Sequence, residues 1–92
     1  MKEDFSLASS VKISDDVISR NLQGEFVLLN LKTGTYYGLD LIGSKTWRFI
    51  ETYESLQKIC DLLMEEFDVP EEQCKKDLLN FITMLEENKL IK

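Results

Sequence analysis

Residues 25–39 have the sequence EFVLLNLKTGTYYGL, in which Gly34 separates two runs of apolar residues. Aliphatic, β-branched and aromatic residues on both sides of Gly34 favour two extended segments. Gly34 can supply the left-handed backbone of a short hairpin loop. Because the apolar residues of segment 25–31 do not strictly alternate, its middle is expected to be covered on both faces. The sequence therefore predicts a central strand at 25–31 and an antiparallel neighbour at 35–39.

The chain before this stretch predicts further strands. Val17 to Leu22 precedes a second tight turn at Gln23-Gly24 and completes a three-stranded antiparallel meander. Residues 11–13 are predicted to be a short additional strand. Within the meander the 35–39 strand has one neighbour, so its other edge is either capped or open.

After residue 39 the apolar period changes from two to about 3.6, which predicts three helices. Asp40 and Ser55 are predicted to cap the first two, and Pro70 suits the first turn of the third. Trp47 is predicted to anchor the core from the first helix. The fold class is therefore α+β, winged helix-turn-helix-like, with a three-stranded antiparallel sheet followed by three helices. The core stripe of the third helix is predicted to contain Cys74, Leu78, Phe81, Ile82 and Leu85.

Length and composition limit the function. The 92 residues suit one domain, 1–92, with residues 1–10 expected to be flexible. A net charge of −6 disfavours nucleic acid, and the absence of histidine removes the commonest general base and metal ligand. No catalytic residue, metal site or cofactor is predicted, so the chain is not expected to be an enzyme. With no apolar stretch long enough for a signal or a membrane span, a cytoplasmic location without membrane contact is expected.

The two cysteines, Cys60 and Cys74, fall on the apolar faces of predicted helices. In that position a free thiol behaves as a small hydrophobic group. Buried thiols are favoured over a disulfide, which stays the alternative.

The 35–39 strand is the candidate binding site, because an open edge offers unpaired N–H and C=O groups to an added strand. Tyr36 and Tyr37 are predicted to point to opposite faces, one inward and the other into a groove. Gly38 has no side chain and would let a foreign backbone approach closely. The alternative is that the tyrosines are simply half-buried strand residues and Gly38 a bulge.

Two shoulders of the third helix are candidate groove walls. Leu79 lies off the core stripe beside Lys75 and Ile82, and Lys75 could pair with an acidic residue of a bound peptide. Met84 lies on the opposite shoulder, beside Asp77 and Phe81. The sequence does not choose between these two sides.

Spread over most of the chain, these features resemble the PqqD-like proteins. The residues that carry the resemblance are Val17 to Leu22, Gly24, Val27 to Leu31, Thr33 to Leu39, Gly43, Trp47, Leu56, Ile59, Phe67 to Val69, Asp77, Leu90 and Ile91. Two positions depart from the family pattern: Asp40 replaces the usual asparagine, and Val69-Pro70 lacks the serine or threonine that often caps the third helix.

The resemblance implies a recognition domain for the leader of a ribosomally made, post-translationally modified peptide. The leader would add as a strand beside the third strand, with its side chains between that strand and the third helix. The expected peptide-binding residues are Thr35, Tyr36, Tyr37, Gly38, Leu39, Lys75, Leu78, Leu79 and Ile82. The implied partners are the precursor leader and a modifying enzyme or leader peptidase, either a radical enzyme or a protease and cyclase. A lasso-type or related pathway is favoured over quinone cofactor (PQQ) synthesis.

Two other functions compete with peptide binding. A winged-helix DNA-binding regulator would place the third helix in the major groove, but Lys75 and Lys76 are accompanied there by Asp77, Glu86 and Glu87. An edge-strand homodimer would pair the 35–39 strands of two copies and cover the proposed site. A monomer and such a homodimer are both compatible with the sequence.

Overall fold

The computed structural model describes residues 5–92 and contains an antiparallel sheet followed by three helices. The strands are β1 (Val17–Leu22), β2 (Glu25–Asn30) and β3 (Thr35–Gly38), with β2 in the centre. The helices are α1 (Leu41–Tyr53), α2 (Leu56–Glu66) and α3 (Glu71–Glu87). The predicted α+β fold is confirmed; "winged helix" describes it loosely, since all strands precede the helices. Within residues 5–92, no helix has both the length and the apolar character needed to cross a membrane.

The helix starts follow from local capping chemistry. The Asp40 carboxylate accepts a hydrogen bond from the Gly43 N–H at 2.7 Å, and the Ser55 hydroxyl accepts one from the Lys58 N–H at 3.3 Å. Both predicted caps are therefore confirmed. α3 begins after Pro70, which serves as the N-cap without a side-chain hydrogen bond.

One face of the sheet packs against the helices and forms the core. Phe26, Leu28 and Asn30 of β2 point to this inner face and are buried. Trp47 is completely buried on α1, which confirms its predicted core role. Two hydrogen bonds of the buried Ser44 hydroxyl connect α1 to the sheet. The hydroxyl accepts from the Phe26 N–H at 2.7 Å and donates to the Leu39 carbonyl at 3.3 Å. The end of β3 and the start of α1 are thereby held in one position.

β2 ends one residue earlier than predicted because Asn30 turns the chain. Its side-chain oxygen accepts hydrogen bonds from the Lys32 N–H at 2.9 Å and the Thr33 N–H at 3.3 Å. Its side-chain nitrogen donates to the Asn88 carbonyl at 3.3 Å. Asn30 is only 2% exposed, and these three part-buried bonds link the β2–β3 loop to the end of α3.

Replacing Asn30 with alanine is expected to lower the free energy of unfolding by about 2 kcal/mol, because two backbone N–H groups and one carbonyl lose their partner. Urea unfolding followed by the fluorescence of Trp47, the single tryptophan, measures this loss. The matched control is Asn21→Ala, since Asn21 accepts from the Gly24 N–H at 2.7 Å in an exposed turn. Equal losses for the two variants would contradict the special role of Asn30.

Residues 11–13 do not form the predicted additional strand. The Val11 N–H donates to the Glu54 carbonyl at 2.9 Å, and Ile13 forms an isolated bridge with Ile91. Val11 is buried, so this segment is extended but is held by the helical layer and the C-terminus instead of the sheet. The prediction was wrong because β propensity indicates an extended backbone without indicating its pairing partner.

The expected flexibility of residues 1–10 stays a prediction. Residues 1–4 lie outside the described range. In the remainder of the segment, Phe5 and Leu7 pack against the core, and the Ser9 carbonyl accepts from the Leu56 N–H at 3.1 Å.

The two cysteines are buried free thiols, as predicted, with their sulfur atoms 3.7 Å apart between α2 and α3. Burial, followed by the contact with Cys74, raises the pKa of Cys60 from 9.0 to about 12. The folded state therefore holds the Cys60 proton more tightly than the unfolded chain does.

This difference predicts a loss of stability at high pH. The contribution of Cys60 is fully present below pH 9 and is lost as the pH rises towards 12, by up to about 1.4 kcal/mol per pH unit. Urea unfolding between pH 8 and roughly 10.5 is expected to show a steeper decline for the native chain than for Cys60→Ala. Identical slopes would contradict the raised pKa, whatever the absolute stability of the variant.

Candidate functional site

Among residues 5–92, no strand pairs with the outer edge of β3. The Leu39 N–H donates to the Phe26 carbonyl at 2.9 Å, and the register continues with Tyr37 opposite Leu28. Because bonding alternates along an antiparallel pair, Tyr37 and Leu39 turn their backbone towards β2, whereas Tyr36 and Gly38 turn theirs outward. Tyr36 and Gly38 therefore offer two N–H and two C=O groups to another strand.

The two tyrosines of β3 point to opposite faces, as predicted. Tyr37 is half-buried on the inner face, where its hydroxyl donates to the Asn88 side-chain oxygen at 3.2 Å. Tyr36 lies opposite Leu29 on the outer face of the sheet and is 69% exposed. The tyrosine beside α3 is thus Tyr37, and the expectation that the outward tyrosine faces the groove is wrong, because the helices cover only the inner face.

Gly38 leaves open space on the outer face of the sheet. A Cβ atom built on it would meet no heavy atom within 4 Å. Its backbone does not have positive φ, so the residue is not needed for an unusual conformation. An approaching strand would therefore meet no side chain at this point of the edge.

One side of α3 lies beside β3 and the first turn of α1. A Cβ built on Gly43 would lie only 3.3 Å from the Phe81 ring, so that ring rests against the start of α1. At the other end of the same side, Asn88 contacts Tyr37. Helix positions three and four apart share a side, so these contacts define a β3-facing shoulder of α3. This shoulder contains Asp77, Phe81, Met84 and Asn88.

Of the four α3 residues expected from the sequence, Lys75 and Leu79 lie on the side of the helix away from Phe81. Leu78 and Ile82 are only 3% and 0% exposed, although Leu78 lines a cavity beside the first turn of α1. Leu79 is two residues before Phe81 and so points about 160° away from it around the helix. Lys75 and Leu79 line a separate shallow crevice on that side. Leu78 and Ile82 are core residues because they lie at the centre of the apolar stripe.

The β3-facing shoulder is the side marked by Met84, Asp77 and Phe81, one of the two candidates in the sequence. Phe81 and Met84 are half-buried and pack against the core while keeping part of their surface open. Asn88 had no sequence signal beyond its position at the end of the helix. The helical period identifies both shoulders, but only the packing of α3 against the sheet selects one.

A cavity of about 290 Å³ lies where the β3-facing shoulder meets α1 and α2. Its lining includes a residue close to the end of β3, since Asp40 follows Gly38 by two residues. The walls are largely apolar, with two carboxylates. The lining residues are Asp40, Ile42, Gly43, Thr46, Leu63, Phe67, Val69, Cys74, Asp77, Leu78 and Phe81.

Together these features describe a small α+β domain with a free strand edge, a half-buried apolar helix shoulder beside it and a cavity at one end. The family model for coenzyme PQQ synthesis protein D (PqqD) matches residues 25–91, which include β2, β3 and all three helices. The chain belongs to the PqqD family. No curated protein matches it.

Two solved structures resemble the chain. TbiB1 in complex with the TbiA(beta) leader peptide is 38% identical, with 88% of this chain and 94% of that chain covered and a TM-score of 0.86. A lasso peptide synthetase B1 complexed with the leader peptide is 18% identical, covers 91% of this chain and 99% of that chain, and has a TM-score of 0.83. The second likeness shows the fold alone.

Proposed function

We propose that this chain binds the leader segment of a ribosomally synthesised, post-translationally modified precursor peptide and delivers it to a modifying enzyme or leader peptidase. The leader adds as a strand to the outer edge of β3. The observation that carries the proposal is the pair of outward-facing backbones at Tyr36 and Gly38, beside an apolar helix shoulder. The 38% identity to TbiB1, whose structure contains a leader peptide, supports the same function.

Strand addition divides affinity and selectivity between two parts of the site. Hydrogen bonds to the backbone of Tyr36 and Gly38 are made by any peptide sequence, so they contribute affinity. Alternate side chains of the added strand point to the inner face, where they meet Phe81 and Met84 and lose contact with water. Those inward positions of the leader are where sequence is selected.

The chain acts without catalysis in this proposal: it holds the leader while a partner enzyme carries out the chemistry. As the specific form of this proposal, we keep the lasso-type pathway, with a protease and a cyclase as the partners. Neither the DNA-binding alternative nor the edge-strand homodimer is supported by the comparisons. On α3, Lys75 and Lys76 lie beside Glu72, which disfavours binding of a phosphate backbone there.

An amide NMR titration with synthetic TbiA(beta) leader peptide tests the proposal. Shifts are expected to concentrate on residues 35–39 and on Phe81 and Met84, whereas a scrambled peptide of the same composition leaves them unchanged. The absence of shifts at near-millimolar leader, or shifts confined to the crevice beside Lys75 and Leu79, would contradict the proposed site.

A further inference from the structure

The cavity near the end of β3 has largely apolar walls and two carboxylates in its lining. Its 290 Å³ is several times the roughly 30 Å³ that one water molecule occupies in the liquid, so a long side chain fits. Three side chains form apolar walls of the cavity: Phe67 at the end of α2, Leu78 on α3, and Phe81 on the β3-facing shoulder of α3. Asp40 and Asp77 are the two charged residues in its lining.

Neither carboxylate has a cationic partner within residues 5–92. The ion pairs of the described chain engage Asp15, Asp16 and Glu66. Lys45, on the first helix near the cavity, pairs with Glu66 at 3.5 Å. Each cavity carboxylate accepts a neutral hydrogen bond instead, Asp40 from the Gly43 N–H at 2.7 Å and Asp77 from the Gln73 side chain at 2.9 Å.

Both carboxylates are exposed in the free protein, so water solvates them and no unpaired charge is buried. A neutral apolar ligand that filled the cavity would remove part of that water without replacing it. A ligand with an apolar stem and a cationic end would fill the interior and pair with the carboxylates. Lysine and arginine side chains have this form, and the net charge of −6 attracts them at long range.

We propose that the cavity takes up a lysine or arginine side chain of the leader, with the stem against Phe67, Leu78 and Phe81 and the charged group at Asp40 and Asp77. The inference rests on the proposed function, because a leader strand on β3 reaches the cavity at the Leu39–Asp40 end of the edge. A guanidinium can donate two parallel hydrogen bonds to a carboxylate, which favours arginine over lysine. The site thereby selects leaders with a basic residue at this position.

Small probes test the cavity independently of any leader. n-Butylguanidinium and the neutral n-butylurea have similar size and shape, and each is titrated into the labelled protein. n-Butylguanidinium is expected to shift the amides of Gly43, Leu78 and Phe81 with a Kd at least fivefold lower than that of n-butylurea. Equal Kd values, or guanidinium shifts elsewhere on the protein, would overturn the inference.

Charge-removing variants show whether the two carboxylates cause the preference. In Asp40→Asn/Asp77→Asn the ratio of the two Kd values is expected to fall to about one, while asparagine retains the helix cap at position 40. Asp61→Asn is the matched control, because Asp61 accepts from Gln57 at 3.1 Å just as Asp77 accepts from Gln73, but on α2 away from the cavity. A preference that survives the double change, or disappears in Asp61→Asn, would contradict the assignment.

The leader itself provides the second test. Each residue of the TbiA(beta) leader peptide is replaced in turn by glutamine, and the position that couples to the carboxylates is expected to carry a lysine or an arginine. One replacement is expected to lower the affinity of the leader for the native chain at least fivefold. The same replacement is expected to leave the affinity for the Asp40→Asn/Asp77→Asn variant unchanged. If no replacement couples to the carboxylates while the leader still shifts residues 35–39, the cation inference is overturned and leader binding stands. If the leader leaves residues 35–39 unshifted, leader binding itself is contradicted.

Discussion

Tyr36→Pro is expected to weaken binding of the TbiA(beta) leader peptide at least tenfold while the domain stays folded. The Tyr36 N–H points away from the sheet, so proline removes no hydrogen bond between β2 and β3. It does remove a donor that an added strand needs, and its ring occupies the approach to the edge. Proline is tolerated on edge strands whose N–H faces solvent, so the fold should accept it. A tenfold loss corresponds to about 1.4 kcal/mol of binding free energy.

Tyr36→Val is the matched control for this substitution. Valine removes the same tyrosine ring from the exposed outer face but keeps the N–H and suits a strand. Binding is measured by calorimetry or by amide shifts, and folding by the fluorescence of buried Trp47. Both variants lack the tyrosine ring, but only Tyr36→Pro also lacks the backbone N–H at position 36. Equal leader affinities of the two variants would therefore show that the leader does not pair with the β3 edge.

Met84→Lys is the second change with a large expected effect, at least a tenfold loss of leader affinity. Met84 lies on the β3-facing shoulder, and a lysine there would place a charge where inward-facing leader side chains bury apolar surface. Leu79→Lys makes a change of the same kind on the opposite side of α3. It is expected to alter affinity by less than about twofold, since rim or remote surface charges contribute little to binding.

The two α3 variants form a fair comparison because Met84 and Leu79 are both half-buried and both pack against the core. Each variant should therefore lose a similar amount of folding stability, which urea unfolding checks. A large loss of affinity in Leu79→Lys with none in Met84→Lys would move the groove to the side of Lys75. If both variants lose leader affinity in proportion to their loss of folding stability, the cause is instead a general loss of structure.

Local chemistry made much of the fold predictable. Asp40 and Ser55 cap their helices because a side-chain oxygen satisfies a free N–H within three residues, and that bond needs no other part of the chain. Gly24 and Gly34 have positive φ in the two hairpin loops, as their positions between apolar runs predict. Elements whose cause is local could therefore be predicted from residues close in sequence.

Pairing partners were harder to predict than extended backbone. Residues 11–13 are extended as expected, but Ile13 pairs with Ile91 at the other end of the chain. The end of β2 depends in the same way on Asn30, whose side chain reaches Asn88. Both contacts join distant segments, and no local pattern specifies which distant segment will be adjacent.

From the residue pattern alone one can predict that Tyr36 and Tyr37 face opposite ways and that α3 carries one apolar stripe with two shoulders. These features follow from the periods of strand and helix, which every residue obeys regardless of its partners. The tertiary structure alone decided which tyrosine faces inward and which shoulder lies beside β3. It also placed Asp40 and Asp77 at one cavity, because the relative rotation of packed elements depends on how all their side chains interlock.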